Sequence, residues 1–488
     1  MSAVASLEAW IAAEARIATT RMLGAVSATH LGTERRGFGQ RVVPLPGSVL
    51  ASPVPAHYDP DPDYFFHWFR DAGIVIDALR VALAAGYTDR SALVRLREFL
   101  QFSRSLRALD GRAFLARSDF RSKVQPAVLQ YLRPDAEIAA FSGEAVPAEA
   151  RVNADGTLDF IRWSRPQNDG PALDCLTLLH WWRQFPELRE DPTLRSGLSE
   201  AILADLAFTL AHAHEPCGDV WEEHSGYHYH TQLLQAEALM RGAEWLEETG
   251  YPGAVRASRL AAEETLARLD AFWDDTAGFY RARAAAGPVD PASGLDITVV
   301  VAALHAGRSA GRHSVLDPRM QATLAALEEL FEAEYAINRE RPPGRGPAMG
   351  RYAHDRYYSG GAWYLATLAA AEFYFSLARS LQGGAPMLIV PANERFRQRL
   401  GPARSASDGE QLAQFAVERG DTFMRTVQAF TPESGDLSEQ FDRTTGAQTS
   451  AKHLSWSYAA FITAAASRTE ALRSIRGAGL GAMPAGTA

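Results

Sequence analysis

The chain has 488 residues, 47% apolar and 22% charged, an ordinary balance for a folded protein with a watered surface. Its length exceeds what one core usually needs, except where repeated hairpins grow around a ring. A formal net charge of −9 argues against nucleic acid as the main partner, and two cysteines, Cys175 and Cys217, make neither a disulfide framework nor a zinc spacing.

The first residues, MSAVASLEAWIAAEARIATTRM, are interrupted by Glu8, Glu14 and Arg16. They lack the basic start and apolar stretch of a secretory signal. No run reaches the roughly 18 apolar residues of a membrane span, so a soluble, cytoplasmic protein is the expectation. Leu93, Leu96 and Leu100 repeat at helical spacing, with Arg95 and Arg97 on other faces. Residues 254–275 and 317–340 read as amphipathic helices, the second opened by the Asp317-Pro318 cap. Residues 294–307, 361–378 and 453–467 are apolar nearly all round, which marks buried helices. Amphipathic and buried segments alternate. That order predicts an all-α fold of helical hairpins closed into a ring, one layer inside the other.

Strand-like patterning is scarce, and MLIVP (387–391) is its clearest piece. Gly/Pro-rich connections cover 33–63, 133–172, 280–294 and 341–361, long enough to suggest functional loops. No composition shift marks a boundary, so residues 1–475 read as a single domain. The tail RGAGLGAMPAGTA (476–488) reads as disordered.

Chemistry concentrates in five loop-to-helix stretches. The most unusual is DVWEEHSGYHYH (219–230), where Trp221 precedes Glu222 and Glu223. Two plain readings are a solvent-facing pair on a helix and an acidic helix start. The sharper one is a general acid, since a carboxyl held against an indole and beside a second carboxylate keeps its proton. The other stretches are YFFHWFRDAG (64–73), WSRPQNDGPAL (163–173), RYAHDRYYSGGAW (351–363) and LSEQFDRTTGAQTSAKHLSWSYAA (437–460). Singly, Arg70-Asp71 reads as a surface ion pair, Trp68 and Trp163 as core, and Glu439 as a solvated loop residue. Together they describe a carbohydrate site, with aromatic faces for sugar rings, Arg and Asp for hydroxyls, and two separated carboxylates for bond cleavage. His224, His228 and His230 include a His-x-His pair, but no third ligand is placed beside it, so no metal site is assigned. Phosphate-cradling, dinucleotide and serine-nucleophile motifs are missing, so no cofactor is expected.

The five stretches resemble the glucoamylases of glycoside hydrolase family 15. That family carries Y-F-Y-T-W-T-R-D for YFFHWFRD, W-G-R-P-Q-R-D-G-P-A-L for WSRPQNDGPAL, and D-L-W-E-E-V-N-G for DVWEEHSG. It carries R-Y-P-E-D-T-Y-Y-N-G-N-P-W for RYAHDRYYSGGAW and S-E-Q-Y-D followed by L-T-W-S-Y-A-A for SEQFD and LSWSYAA. The order is kept from residue 64 to residue 460. The resemblance implies a six-hairpin (α/α)6 barrel and an inverting exo-hydrolysis that releases β-glucose. Carried over by position, Glu222 is the general acid and Glu439 the general base. Glu223 binds sugar hydroxyls and helps keep the Glu222 proton, and Arg70 and Asp71 hold the non-reducing glucose. Tyr64, Trp68, Trp163 and Trp221 line the pocket.

The departures from the family pattern leave Glu222 and Glu439 in place and bear on the leaving-sugar side. His67 and Phe69 stand where the family has threonines, and Phe441 stands for a tyrosine. The loop ASGLD before Asp296 lacks an arginine that fungal members carry. Linkage therefore stays open between α-1,4, α-1,6 and α,α-trehalose. No starch-binding module is seen after residue 475, nor a β-sandwich before the barrel, so a small soluble oligosaccharide is the expected partner. A carbohydrate-binding barrel without turnover is the alternative of another class, and the presence of both Glu222 and Glu439 counts against it.

Overall fold

The computed structural model describes residues 6–57, 60–284, 294–401 and 409–481. Among these, twelve helices have nine or more residues, and the strands are two or three residues long. The chain divides into two compact units. One is Thr19–Asp270 with Ser450–Ala459, and the other is Met1–Ala18, Ala271–Thr449 and Ala460–Ala488.

The first of these holds the helices Phe69–Ala85, Ser91–Leu106, Gly170–Gln184, Pro192–His212, Tyr229–Thr249 and Val255–Leu269. Gly170–Gln184 buries every residue except His180, Arg183 and Gln184. It packs on Phe69–Ala85, Pro192–His212 and Tyr229–Thr249. Ser91–Leu106 buries one stripe, including Leu96, Phe99 and Leu100, and turns its arginines outward. In the other unit Tyr364–Gln382 is the most buried helix, packed on Gly409–Phe430 and Thr298–Ala306. Pro318–Glu334 begins as its sequence predicts. The Asp317 carboxylate accepts from Arg319 N at 2.9 Å, and also from Tyr280 OH and His313 N. Helices with one buried stripe alternate along the chain with helices buried almost all round, as the apolar patterning predicts.

Three expectations need correction. The 133–172 connection is not an open loop. Asp135–Ala140 is helical, Gly143–Ala148 is a 3₁₀ turn, and Arg151–Val152 pairs with His67–Trp68. Leu132, Ile138, Phe141, Val152, Leu158 and Phe160 join Phe66 and Phe102 in one core cluster, so these apolar residues are buried without helical or strand periodicity. MLIVP forms no strand, and Leu388, Ile389 and Val390 are exposed. The last helix runs Ser455–Gly481, past residue 475, because extending an existing alanine-rich helix avoids the cost of a new nucleus. Residues 482–488 of that tail, and 285–293 of the 280–294 connection, lie outside the described residues. No helix among the described residues is long and apolar enough to cross a membrane.

The helices Gly170–Gln184 and Pro192–His212 also bury two carboxyls, Asp174 and Asp205. Burial pushes Asp205 up to about 7, against the pull of Arg107 at 3.7 Å. Burial and the Asp205 charge hold Asp174 well above its ordinary range, with Arg107 again opposing. Both groups bind their protons more tightly folded than unfolded. The Asp205 contribution is therefore complete below the unfolded value of 3.8 and is lost as pH rises through about 7. Each proton so linked costs about 1.4 kcal/mol per pH unit in that window. Asp205→Asn is expected to melt several degrees above the parent at about pH 8 and level with it near pH 4, in thermal scans across that range.

Candidate active site

The WEE pair lies on a β-hairpin, not on a helix. Cys217–Gly218 pairs with Ser225–Gly226, and the turn between them carries Trp221, Glu222 and Glu223. The Asp219 carboxylate accepts from Glu223 N and His224 N, and Glu222 N bonds Asp219 O. Gly218 N donates to Pro166 O at 2.7 Å, which docks the hairpin on the WSRPQ segment. Glu222 has φ 65°, a left-handed conformation that side chains rarely adopt and that clusters at functional sites. This backbone turns the two neighbouring carboxyls to different fates. The Glu222 side chain is 12% exposed, whereas Glu223 lies on the exposed tip.

Four donors meet the Glu222 carboxylate. Trp68 Nε1 donates to Oε1 at 2.8 Å, Gln167 Nε2 to the same oxygen at 2.9 Å, and Arg70 Nη2 approaches it at 3.4 Å. Trp163 Nε1 donates to Oε2. The two indoles meet edge to face, 5.9 Å between centroids, and Tyr64 packs edge-on against Trp68. Arg70 and Asp71 occupy the first turn of Phe69–Ala85, where the helix N-terminus favours a carboxylate. Arg70 Nη1 donates to Gln167 Oε1, and its guanidinium is 3.6 Å from both Asp71 and Asp169. Trp456, from the fifth stretch, faces the same guanidinium at 5.8 Å.

One buried guanidinium therefore faces three carboxylates. Burial works against the Arg70 charge, but Asp169, Asp71 and Glu222 outweigh it and hold the group protonated. Burial pushes Asp71 up to about 6, with Arg70 opposing and Glu222 and Asp169 adding. Asp169 is raised by burial in the same way, against Arg70. Burial and mutual repulsion thus raise Asp71 and Asp169 above the ordinary carboxylate range, even beside a guanidinium.

Glu439 belongs to the other unit. It is 2% exposed and leads into the strand Gln440–Phe441, the middle of a three-stranded sheet between Ala362–Trp363 and Gln448–Thr449. Gln440 is fixed by Ser359 Oγ, Gly361 N and Tyr357 O. Arg351 forms a two-point ion pair with Asp355 at 2.6 and 2.7 Å, under the rings of Tyr357 and Trp363. Gly361 is required here. A Cβ would sit 2.3 Å from the carbonyl oxygen of Phe441, which is backbone and cannot swing away. Gly361→Ala is expected to pry Ala362–Trp363 from Gln440–Phe441, destabilising the protein by about 1–3 kcal/mol and lowering activity. Thermal melts and initial rates would check both.

Trp68, Arg70, Asp71, Trp163 and Glu222 are thus brought together, with Tyr64 against Trp68. Trp221 is half-buried on the hairpin, and Glu223 points its backbone N–H inward at Asp219. His67 and Phe441 prove internal. Burial holds His67 neutral, down to about 3, and its Nδ1 accepts from Val49 N. Phe441 stacks on Phe430 at 4.8 Å. His228 bonds the Cys217 carbonyl and His230 is buried, so the histidines support the hairpin and its following helix. Gln167, Asp169, Arg351 and Trp456 lie inside the same five stretches, and only their tertiary contacts mark them. Arg351 O accepts from Ile297 N, which ties the segment after ASGLD to the RYAHD stretch through the backbone.

A sequence profile of Glycosyl hydrolases family 15 matches residues 139–466. Glucoamylase 1 of Rhizopus oryzae is 26% identical over 435 residues, covering 86% of this chain and 67% of that protein. The structure of the glycoside hydrolase family 15 glucoamylase from Hypocrea jecorina matches with a TM-score of 0.77 at 25% identity, covering 95% of this chain and 72% of that one. The glucoamylase from Saccharomycopsis fibuligera matches in fold with the same TM-score at 21% identity, covering 96% of each chain. The fold is the all-α (α/α)6 barrel of these structures. The chain belongs to glycosyl hydrolases family 15 and is a glycoside hydrolase of the glucoamylase type.

Proposed function

We propose that this enzyme acts as an exo-acting, inverting α-glucosidase that releases β-glucose from the non-reducing ends of small α-linked gluco-oligosaccharides. Glu222 is the general acid and Glu439 the general base. The observation that carries the reading is the grip on Glu222. Its carboxylate meets two indole N–H groups, an amide and a guanidinium. These donors stabilise the carboxylate that forms as the proton passes to the glycosidic oxygen. Arg70 and Asp71 bind hydroxyls of the terminal glucose, and Tyr64, Trp68, Trp163 and Trp221 present ring faces and edges to it. Glu223, on the exposed tip, meets substrate at the rim. Residues 1–475 act as one catalytic domain, supported by the interleaving of the two units along the chain. A cytoplasmic location is supported by Cys175 and Cys217, both free and buried, with the Cys217 thiol pushed up to about 11 by burial.

The test is a proton NMR time course with maltose, isomaltose and α,α-trehalose in parallel. β-Glucose appearing first supports inversion and identifies the linkage. α-Glucose appearing first removes the role of Glu439 as a base that activates water. No cleavage of these sugars or of longer gluco-oligosaccharides leaves the binding barrel as the better reading. Activity in cell lysate but not in medium checks the location.

A further inference from the structure

Trp68 and Trp163 can hold the Glu222 carboxylate only if their own rings are held. Arg151 stands directly opposite Trp68 in the two-residue strand pair. Its guanidinium carbon lies 3.6 Å from the Trp163 ring centroid, 4.8 Å from that of Trp68 and 4.0 Å from that of Phe66. The side chain is completely buried. Nε donates to Asp159 Oδ2 at 2.9 Å. Asp159 also accepts from Ile161 N at 2.9 Å and from Arg165 Nη2 at 3.3 Å. Arg165 pairs with Glu149, which takes both ends of Arg133 as well. The cationic head is therefore fixed by a charged lattice whose members bracket Trp163 in sequence.

Three arginines and two carboxylates leave this lattice with one positive charge in excess, next to the aromatic wall. A desolvated guanidinium on a ring face is attracted by the ring quadrupole and fixes its tilt. It also draws π-electron density from the indole, which makes the N–H a stronger donor. Both effects act on the two N–H groups that meet Glu222. We propose that Arg151 is a positioning residue of the reaction. Working through Trp163 and Trp68, it aims and strengthens their hydrogen bonds to the acid. The proposal rests on the reading of Glu222 as that acid. A residue that merely fills the core would change stability and leave the indole hydrogen bonds and kcat as they were.

The test uses the full chain labelled with ¹⁵N in its tryptophan indoles, as the parent and as Arg151→Met, Arg151→Lys, Arg151→Met with Asp159→Asn, and Glu222→Gln. Resonances of Trp68 and Trp163 are identified with Trp68→Phe and Trp163→Phe. Arg151→Met is expected to lower kcat between about tenfold and 10²-fold, as slight misplacement of a reacting group does, while KM moves less than about threefold. The two indole N–H resonances should shift toward their positions in Glu222→Gln. Arg151→Lys keeps the charge but not the flat face, and should fall between parent and Arg151→Met in both readouts. Parental kcat and parental indole resonances in the folded Arg151→Met protein, with Glu222→Gln inactive, overturn the proposal alone. If that variant does not fold, the double variant replaces it, since it no longer buries the acid partner unchanged. If neither folds, Arg151→Lys decides by the same two readouts. Full turnover by Glu222→Gln overturns the acid assignment instead.

Discussion

Glu222→Gln is expected to lower kcat on the best natural sugar by on the order of 10³-fold, about 4 kcal/mol of barrier. Glutamine preserves the volume and one acceptor, so the 12% exposed side chain still fills its place between the indoles. It cannot deliver a proton to the departing oxygen. The diagnostic is α-glucosyl fluoride, whose leaving group departs without being protonated. The variant should retain most of its activity on the fluoride and lose it on the sugar. Equal losses on both substrates would show that Glu222 is not the proton donor.

Glu439→Ala should fall by a similar factor, on the order of 10³-fold, on sugar and fluoride alike, because water must be activated in both cases. The residue is nearly enclosed, at 2% exposure, immediately before a strand paired on both sides. Removing its side chain opens space at that point. Azide is a good nucleophile without a base, and it should restore turnover of the fluoride and yield β-glucosyl azide. An α-glucosyl azide would place attack on the wrong face and falsify the inverting assignment.

The helices were legible because their chemistry is periodic. The apolar runs 294–307 and 361–378 contain Thr298–Ala306 and most of Tyr364–Gln382, and the Asp317-Pro318 cap forms as its residues dictate. The neighbourhood of Glu222 was legible for another reason: Trp68, Arg70, Trp163 and Glu222 each stand in an unusual run of residues. What could not be read was tertiary. The turn at Glu222 has no period, and its left-handed backbone contradicts local preference. Arg151 sits in a stretch whose composition resembles a loop, and only strand pairing places it against Trp68. Phe441, a departure two residues after Glu439, resolves into ring packing with Phe430 and Tyr364.

Glu222 rides on a hairpin with only two paired residues on each strand, and its tip is exposed. The helices behind it are packed along most of their length. Local opening draws first on segments closed by few backbone bonds, and two paired residues a side close this hairpin, so it lifts at a smaller cost than the helical body. Warming should therefore silence the enzyme before it melts. The temperature of half-activity would lie below the calorimetric transition, and the rate lost in that interval would return on cooling.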